Sequence, residues 1–256
     1  MIITHIGGPT AIVEIGGWRL LTDPTFDPAG GHYAFGWGTS SDKVTGPAVA
    51  ADALGAVDAV LLTHDQHGDN LDAAGRALLP SVPVVVTTTA AARRLGHADP
   101  RGLAPGATAV LEGDGRERVE ITATPARHGP PLSRPIVGEV AGFLVRCAGE
   151  IAWVTGDTVL YGGLRRALAG VDIDVMLLHA GGVRFPITGP LRYTMTGARA
   201  VELLSVVRPR VAVPVHYEGW SHFRDGRAGL EAALAAAPAD VRSRVRWLVP
   251  GDPTAL

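Results

Sequence analysis

Residues 58–72, DAVLLTHDQHGDNLD, restrict this chain more than any other stretch. Ala59-Val60-Leu61-Leu62 is an apolar run of the length a fully buried strand needs, and it runs into His64, Asp65, Gln66, His67, Asp69, Asn70 and Asp72. Packed at a strand end, so many imidazoles and carboxylates repel one another or go unsatisfied unless water or a cation takes up their lone pairs. The stretch therefore reads as part of a metal site. The same pattern returns at His128 after ITATPAR, Asp157 after AWVTG, His179 after VMLL and His216 after AVPV. In α/β sheets, side chains just beyond strand ends converge on one crevice, so groups far apart in sequence can meet there. Cys147 is the only cysteine, which excludes an internal disulfide and a thiolate zinc site. Nitrogen and oxygen ligands suit Zn, Mn or Fe.

The rest of the chain supplies the frame. Residues 1–6, 11–15 and 18–22 read as short strands separated by Gly-Gly turns, ending at Asp23-Pro24. Residues 25–47 lose periodicity and collect Phe26, Tyr33, Phe35 and Trp37, as a long loop that closes over a site or packs on the surface. Further strands are expected at 82–88, 109–112, 119–124, 140–147, 151–155, 175–178, 211–215 and 245–249, and helices at 49–56, 72–79, 89–95, 159–169, 196–207 and 229–237. Strands and then helices, twice over, predict an α/β chain, an αββα sandwich of two mixed sheets flanked by helices. Its 256 residues are expected to form one domain, 1–256.

Composition narrows the function classes. A net charge of -2 leaves no electrostatic footprint for nucleic acid or anionic lipid. No apolar stretch approaches the ~18 residues of a membrane span, and the start, MIITHIGGPTAIVEIGG, has no signal-peptide pattern. A cytoplasmic protein with a small-molecule substrate is expected, with homo-oligomerisation left open. No G-x-S-x-G elbow is present and Cys147 lies mid-strand, so neither serine nor thiol attack has a local signature.

LLTDP at 20–24, THDQHGDNLD at 63–72, PARH at 125–128, TGDT at 155–158 and PVHYEG at 214–219 cover nearly the whole chain. In that order they resemble the motifs of metallo-β-lactamase-fold hydrolases, most of all the branch of ascorbate-phosphate lactonase and N-acyl phosphatidylethanolamine phospholipase D type enzymes. The resemblance implies that His128 binds a first metal, Asp157 bridges and His216 binds a second. The first motif departs from the family's H-x-H-x-D-H, reading His64-Asp65-Gln66-His67-Gly68-Asp69-Asn70. Anchored on the left, Gln66 falls in the second His place; anchored on the right, His67 does, with Asp69 as the acid and Asn70 in the last His place. A one-residue bulge would let His64 and His67 both face the metal with Asp69 behind them. Asn is a weak zinc ligand, so one or two Zn2+ ions, or Mn2+ or Fe, are compatible with the motif.

Asp23 is expected to hydrogen-bond a ligand histidine, and His179 to contact substrate or a ligand. Residues 181–193, GGVRFPITGPLRY, carry Arg184, Phe185, Arg192 and Tyr193; Arg184, Tyr193 and Trp37 are the candidate substrate contacts. His5, His97 and His222 read as structural or surface residues. The expected chemistry is attack of metal-activated hydroxide on an ester, lactone or phosphodiester, with Asp69 and His67 as catalytic groups. A non-catalytic ligand-binding member of the fold and a metal enzyme of non-hydrolytic type are the rival readings.

Overall fold

A computed structural model describes residues 1–256. Its strands, in chain order, are β1 Ile2–Gly7, β2 Thr10–Ile15, β3 Trp18–Thr22, β4 His32–Gly36, β5 Thr39–Asp42, β6 Ala59–Leu62, β7 Val84–Thr88, β8 Pro100–Leu103, β9 Thr108–Leu111, β10 Val119–Pro125, β11 Ala141–Cys147, β12 Glu150–Val154, β13 Val175–His179, β14 Val211–Val215 and β15 Thr254–Ala255. The helices are α1 Ala73–Leu78, α2 Thr89–Leu95, α3 Arg134–Val137, α4 Gly162–Ala167, α5 Gly197–Val207, α6 Gly226–Ala235 and α7 Ala239–Arg242.

Two mixed sheets form the centre. One has the order β15-β1-β2-β3-β6-β7-β8, the other β14-β13-β12-β11-β10-β9. In the first, β1, β2 and β3 are antiparallel neighbours, whereas β3, β6, β7 and β8 run parallel. In the second, β9 to β12 are antiparallel and β12, β13 and β14 parallel. Ile3, Val13, Leu20 and Leu61 of one sheet meet Ile121, Phe143, Val154 and Leu177 of the other in a buried inner layer. Each such side chain contributes about 1.5–3 kcal/mol when fully buried. The outer face of the second sheet packs Trp153, Met176 and Leu178 against Leu164 of α4, Leu203 and Leu204 of α5 and Leu230 of α6. Leu21, Val60 and Val85 cover the outer face of the first. These layers make the αββα sandwich.

Four expectations fail locally, the first at 49–56, where a single 3-10 turn at Ala51–Ala53 stands in place of a helix. Residues 25–47 are not aperiodic: β4 and β5 form a separate hairpin whose turn holds Trp37 at φ 53. Residues 245–249 form no strand; Val245 makes one isolated bridge to Ala212, and β15 supplies the edge beside β1 instead. The helix expected at 159–169 shortens to α4, Gly162–Ala167, whose N-cap Tyr161 is extended. No helix is long and apolar enough to cross a membrane.

Candidate metal centre

The parallel segments point their C-terminal ends to the same edge of the sandwich, and the polar knots follow there. Asp23 follows β3, His64 follows β6, His128 follows β10, Asp157 follows β12, His179 closes β13 and His216 follows β14. Asp23 at φ 32 and His216 at φ 56 sit in left-handed conformations that cost roughly 1–3 kcal/mol each. For His216 the turn lets its N–H donate to the Gly8 carbonyl at 2.7 Å while its ring enters the site.

Two groups of potential ligands result. His64, His67 and His128 bring one ring nitrogen each within 4.8 Å of one another, and Asp69, Asp157 and His216 do the same. In the first group His64 Nε2 is 3.0 Å from His67 Nδ1. Thr63 Oγ1 donates to Asp23 Oδ2 at 2.9 Å, so it accepts from His64 Nδ1 at 3.1 Å, which leaves the His64 Nε2 lone pair free. His128 Nδ1 donates to the Tyr193 carbonyl at 2.7 Å and likewise frees Nε2. In the second group His216 Nε2 lies 3.2 Å from Asp69 Oδ2 and 3.3 Å from Asp157 Oδ1.

These residues fit a cation. Both Asp157 oxygens and Asp69 Oδ1 are buried without a hydrogen-bond partner, an expensive arrangement unless something else occupies the lone pairs. Spacings of 3.0–3.3 Å match the edge of about 3.3 Å expected for ligands tetrahedrally placed around an ion at ~2.0 Å. Protonation agrees. Burial pulls His128 down to about 3 and His216 down to about 4, and carries His64 well below its ordinary range with help from His67 and His128. The imidazoles are therefore neutral at pH 7 and able to coordinate. Burial, with Asp69 and Asp23 nearby, drives the Asp157 carboxyl well above the usual carboxylate range, so a cation and a proton compete for these oxygens.

A model of the beta-lactamase superfamily domain matches residues 18–217. The chain belongs to the beta-lactamase superfamily. It falls among that superfamily's metal-dependent hydrolases: a metal-dependent hydrolase of Thermofilum pendens is 30% identical over 209 residues, covering 80% of this chain and 82% of the relative. Another, of Opitutus terrae, is 31% identical over 263 residues and covers 98% of each. In fold the chain is similar to isothiocyanate hydrolase from Delia radicum gut bacteria, with a TM-score of 0.83, 20% identity, and coverage of 100% of this chain and 99% of that one.

Against the superfamily's motif, the first loop is bulged. Gln66 turns away from the centre and its Nε2 donates to the carbonyls of Val137 at 2.7 Å and Glu139 at 3.1 Å, while Asp65 pairs with Arg94. His64 and His67 are thereby left facing each other. Asn70 Nδ2 donates to Asp23 Oδ2 at 3.2 Å, while its Oδ1 is buried without a hydrogen-bond partner. His179 is fully buried, stacks on His216 and donates from Nε2 to Asp23 Oδ2 at 3.3 Å, so it braces the centre without reaching substrate space.

A cavity of about 130 Å³ opens on the centre. Its polar floor is His67, Asp69, His128 and His222; Phe35, Trp37, Val183, Phe185 and Tyr193 supply walls. Trp37 and Tyr193 line this cavity, Trp37 with 74% of its surface exposed. Arg184 does not: it is exposed and outside the cavity wall, because the backbone between buried Val183 and Phe185 turns it outward. His222, expected to be structural or on the surface, is 2% exposed with Nε2 at 3.0 Å from Asp69 Oδ2. No strand ends at His222, so the pattern that marked the other ligands passes it by; the aromatic cluster Trp220, His222, Phe223 was the available signal.

Proposed function

We propose that this metal-dependent hydrolase cleaves an ester or lactone bond of a small, uncharged molecule, with His64, His67 and His128 holding one cation and Asp69, Asp157 and His216 a second. The observation that carries the bond type is the cavity wall, which contains no lysine or arginine. A phosphodiester would find only the cations on the floor and no Arg or Lys donor in the wall, whose aromatic and aliphatic side chains suit an uncharged substrate better. A volume of about 130 Å³ is small beside the ~300–1,000 Å³ of sites for drug-sized ligands, which favours a compact substrate.

The bound cation makes water nucleophilic near neutral pH and polarises the oxygen that gathers charge. The chain's own groups do the rest. Phe35 and Phe185 exclude water and seat the apolar part of the substrate over the floor. Asp69 lines the same floor with Oδ1 free of any protein partner, so it orients the attacking water and accepts its proton there. Bonds to Thr63 and Tyr193 fix the tautomers of His64 and His128.

The test is removal and return of metal. Chelated protein should lose hydrolysis of small esters and lactones and regain it on reloading with zinc, manganese or iron, with ions per chain counted by plasma mass spectrometry. Full activity in a verified metal-free sample would refute the metal requirement. Faster turnover of simple phosphodiesters than of uncharged esters would refute the bond assignment.

A further inference from the structure

The hairpin β4–β5 and the loop after β14 meet behind the acid-rich ligand group. The Asp42 amide donates to Ser221 Oγ at 3.0 Å, and the Ser221 and Ser41 hydroxyls are 3.1 Å apart. Ser41 Oγ lies 2.6 Å from His222 Nδ1, and His222 Nε2 lies 3.0 Å from Asp69 Oδ2. Electrostatics set the direction. His222 stands outside both ligand groups, so no cation separates its Nε2 from Asp69 Oδ2; that nitrogen carries the hydrogen and Nδ1 accepts from Ser41. Ser41 in turn accepts from Ser221, whose oxygen takes the Asp42 N–H. The donors run one way, from backbone amide to carboxylate. The ring itself is clamped: it stacks on Phe185 at 5.3 Å and 9°, and meets Phe35 edge-on at 5.2 Å.

Serine, histidine and aspartate in contact suggest nucleophilic catalysis, but Ser41 is 3% exposed and outside the cavity wall, where Phe35, Gly36, Trp37 and Thr39 represent the hairpin. No substrate carbonyl reaches Ser41 Oγ.

We propose that His222 is a positioning residue for Asp69: its Nε2–H pins Oδ2 and fixes the plane of the carboxylate, so that the acid-rich group keeps its shape for the second cation although Asn70 supplies no imidazole there. The inference rests on the two-cation reading above. It also assigns the hairpin a second task, since Ser41 sets the tautomer of His222 while Phe35 and Trp37 shape the cavity.

The experiment compares His222→Leu, His222→Gln and Ser41→Ala with the natural chain, counting ions after gel filtration and measuring each affinity by competition with a chromophoric chelator. In His222→Leu one of the two ions should bind ~10–100-fold less tightly, with the other unchanged. His222→Gln, which keeps an N–H donor, should recover most of the loss, and Ser41→Ala should shift the same ion by a smaller factor. Equal impairment in Leu and Gln variants reduces His222 to a filler of the wall and overturns the proposal, as does wild-type affinity for both ions in His222→Leu. Should His222→Leu fail to fold, judged by melting of the metal-free form, the buried Ser41→Ala change decides by the same ion count. A natural chain that takes up only one ion removes the two-cation reading, and the proposal with it.

Discussion

Replacing Asp23 by Asn tests whether a residue that touches no substrate sets the chemistry of a ligand. Asp23 is fully buried, and its Oδ1 accepts the Thr63 N–H at 2.7 Å. Its Oδ2 accepts from Thr63 Oγ1 at 2.9 Å, Asn70 Nδ2 at 3.2 Å and His179 Nε2 at 3.3 Å. Asn in the better of its two orientations keeps the first bond and turns an NH2 toward the other three donors. Thr63 adapts by rotating its hydroxyl to accept, but it then donates to His64 Nδ1 and moves the His64 proton to Nε2, the nitrogen that faces His67. Two buried donors, on Asn70 and His179, lose their acceptor at about 1–3 kcal/mol each, or roughly 4 kcal/mol together. At about 2–4 °C per kcal/mol for a chain near this size, the metal-free protein should melt roughly 8–16 °C lower. Affinity for the ion at the three-histidine group should fall ~10–100-fold. Differential scanning fluorimetry and zinc competition measure the two effects separately. A lowered melting point with unchanged zinc affinity would refute the tautomer argument, and no change in either would refute the whole account of Asp23.

Two further outcomes follow from charge. Lys43 and Asp72 form a buried pair at 2.8 Å, the lysine 3% exposed, and Lys43→Met strands the carboxylate; a loss of about 3–5 kcal/mol in urea unfolding is expected, and one below ~1 kcal/mol would show that the Phe26, Asp27 and Gly75 amides suffice for Asp72. Burial pushes the Asp27 carboxyl up, but hydrogen bonds from the Tyr33 hydroxyl and the Ala74 and Ala73 amides outweigh it and leave it below its ordinary value. A carboxyl lowered by folding stabilises above its unfolded pKa of about 4, and that contribution disappears as pH falls through the folded value. Asp27→Asn should therefore be less stable than the natural chain at pH 7, by under ~1 kcal/mol after solvent screening, with the gap closing near pH 3 in paired thermal melts.

Strand periodicity and the apolar runs ending in His or Asp were legible because burial on both faces of a strand demands an unbroken apolar segment, and a charged cluster can stand only past its end. That much is local. The hairpin at 32–42 was not read, although half-buried Tyr33 and Phe35 alternate there with exposed positions at the strand period; its order comes from contacts with the loop at 217–223. Nor was the outward turn of Gln66, which depends on the carbonyls of Val137 and Glu139, about seventy residues away. By itself, then, the sequence determined the α/β layering, the edge of the sandwich where polar groups collect, and the nitrogen and oxygen character of any metal ligands. Only the tertiary structure decided that His64 and His67 face each other, that Arg184 stands outside the cavity and that His222 stands behind Asp69. Those facts are set by side-chain directions across separate elements, which no spacing along one chain encodes.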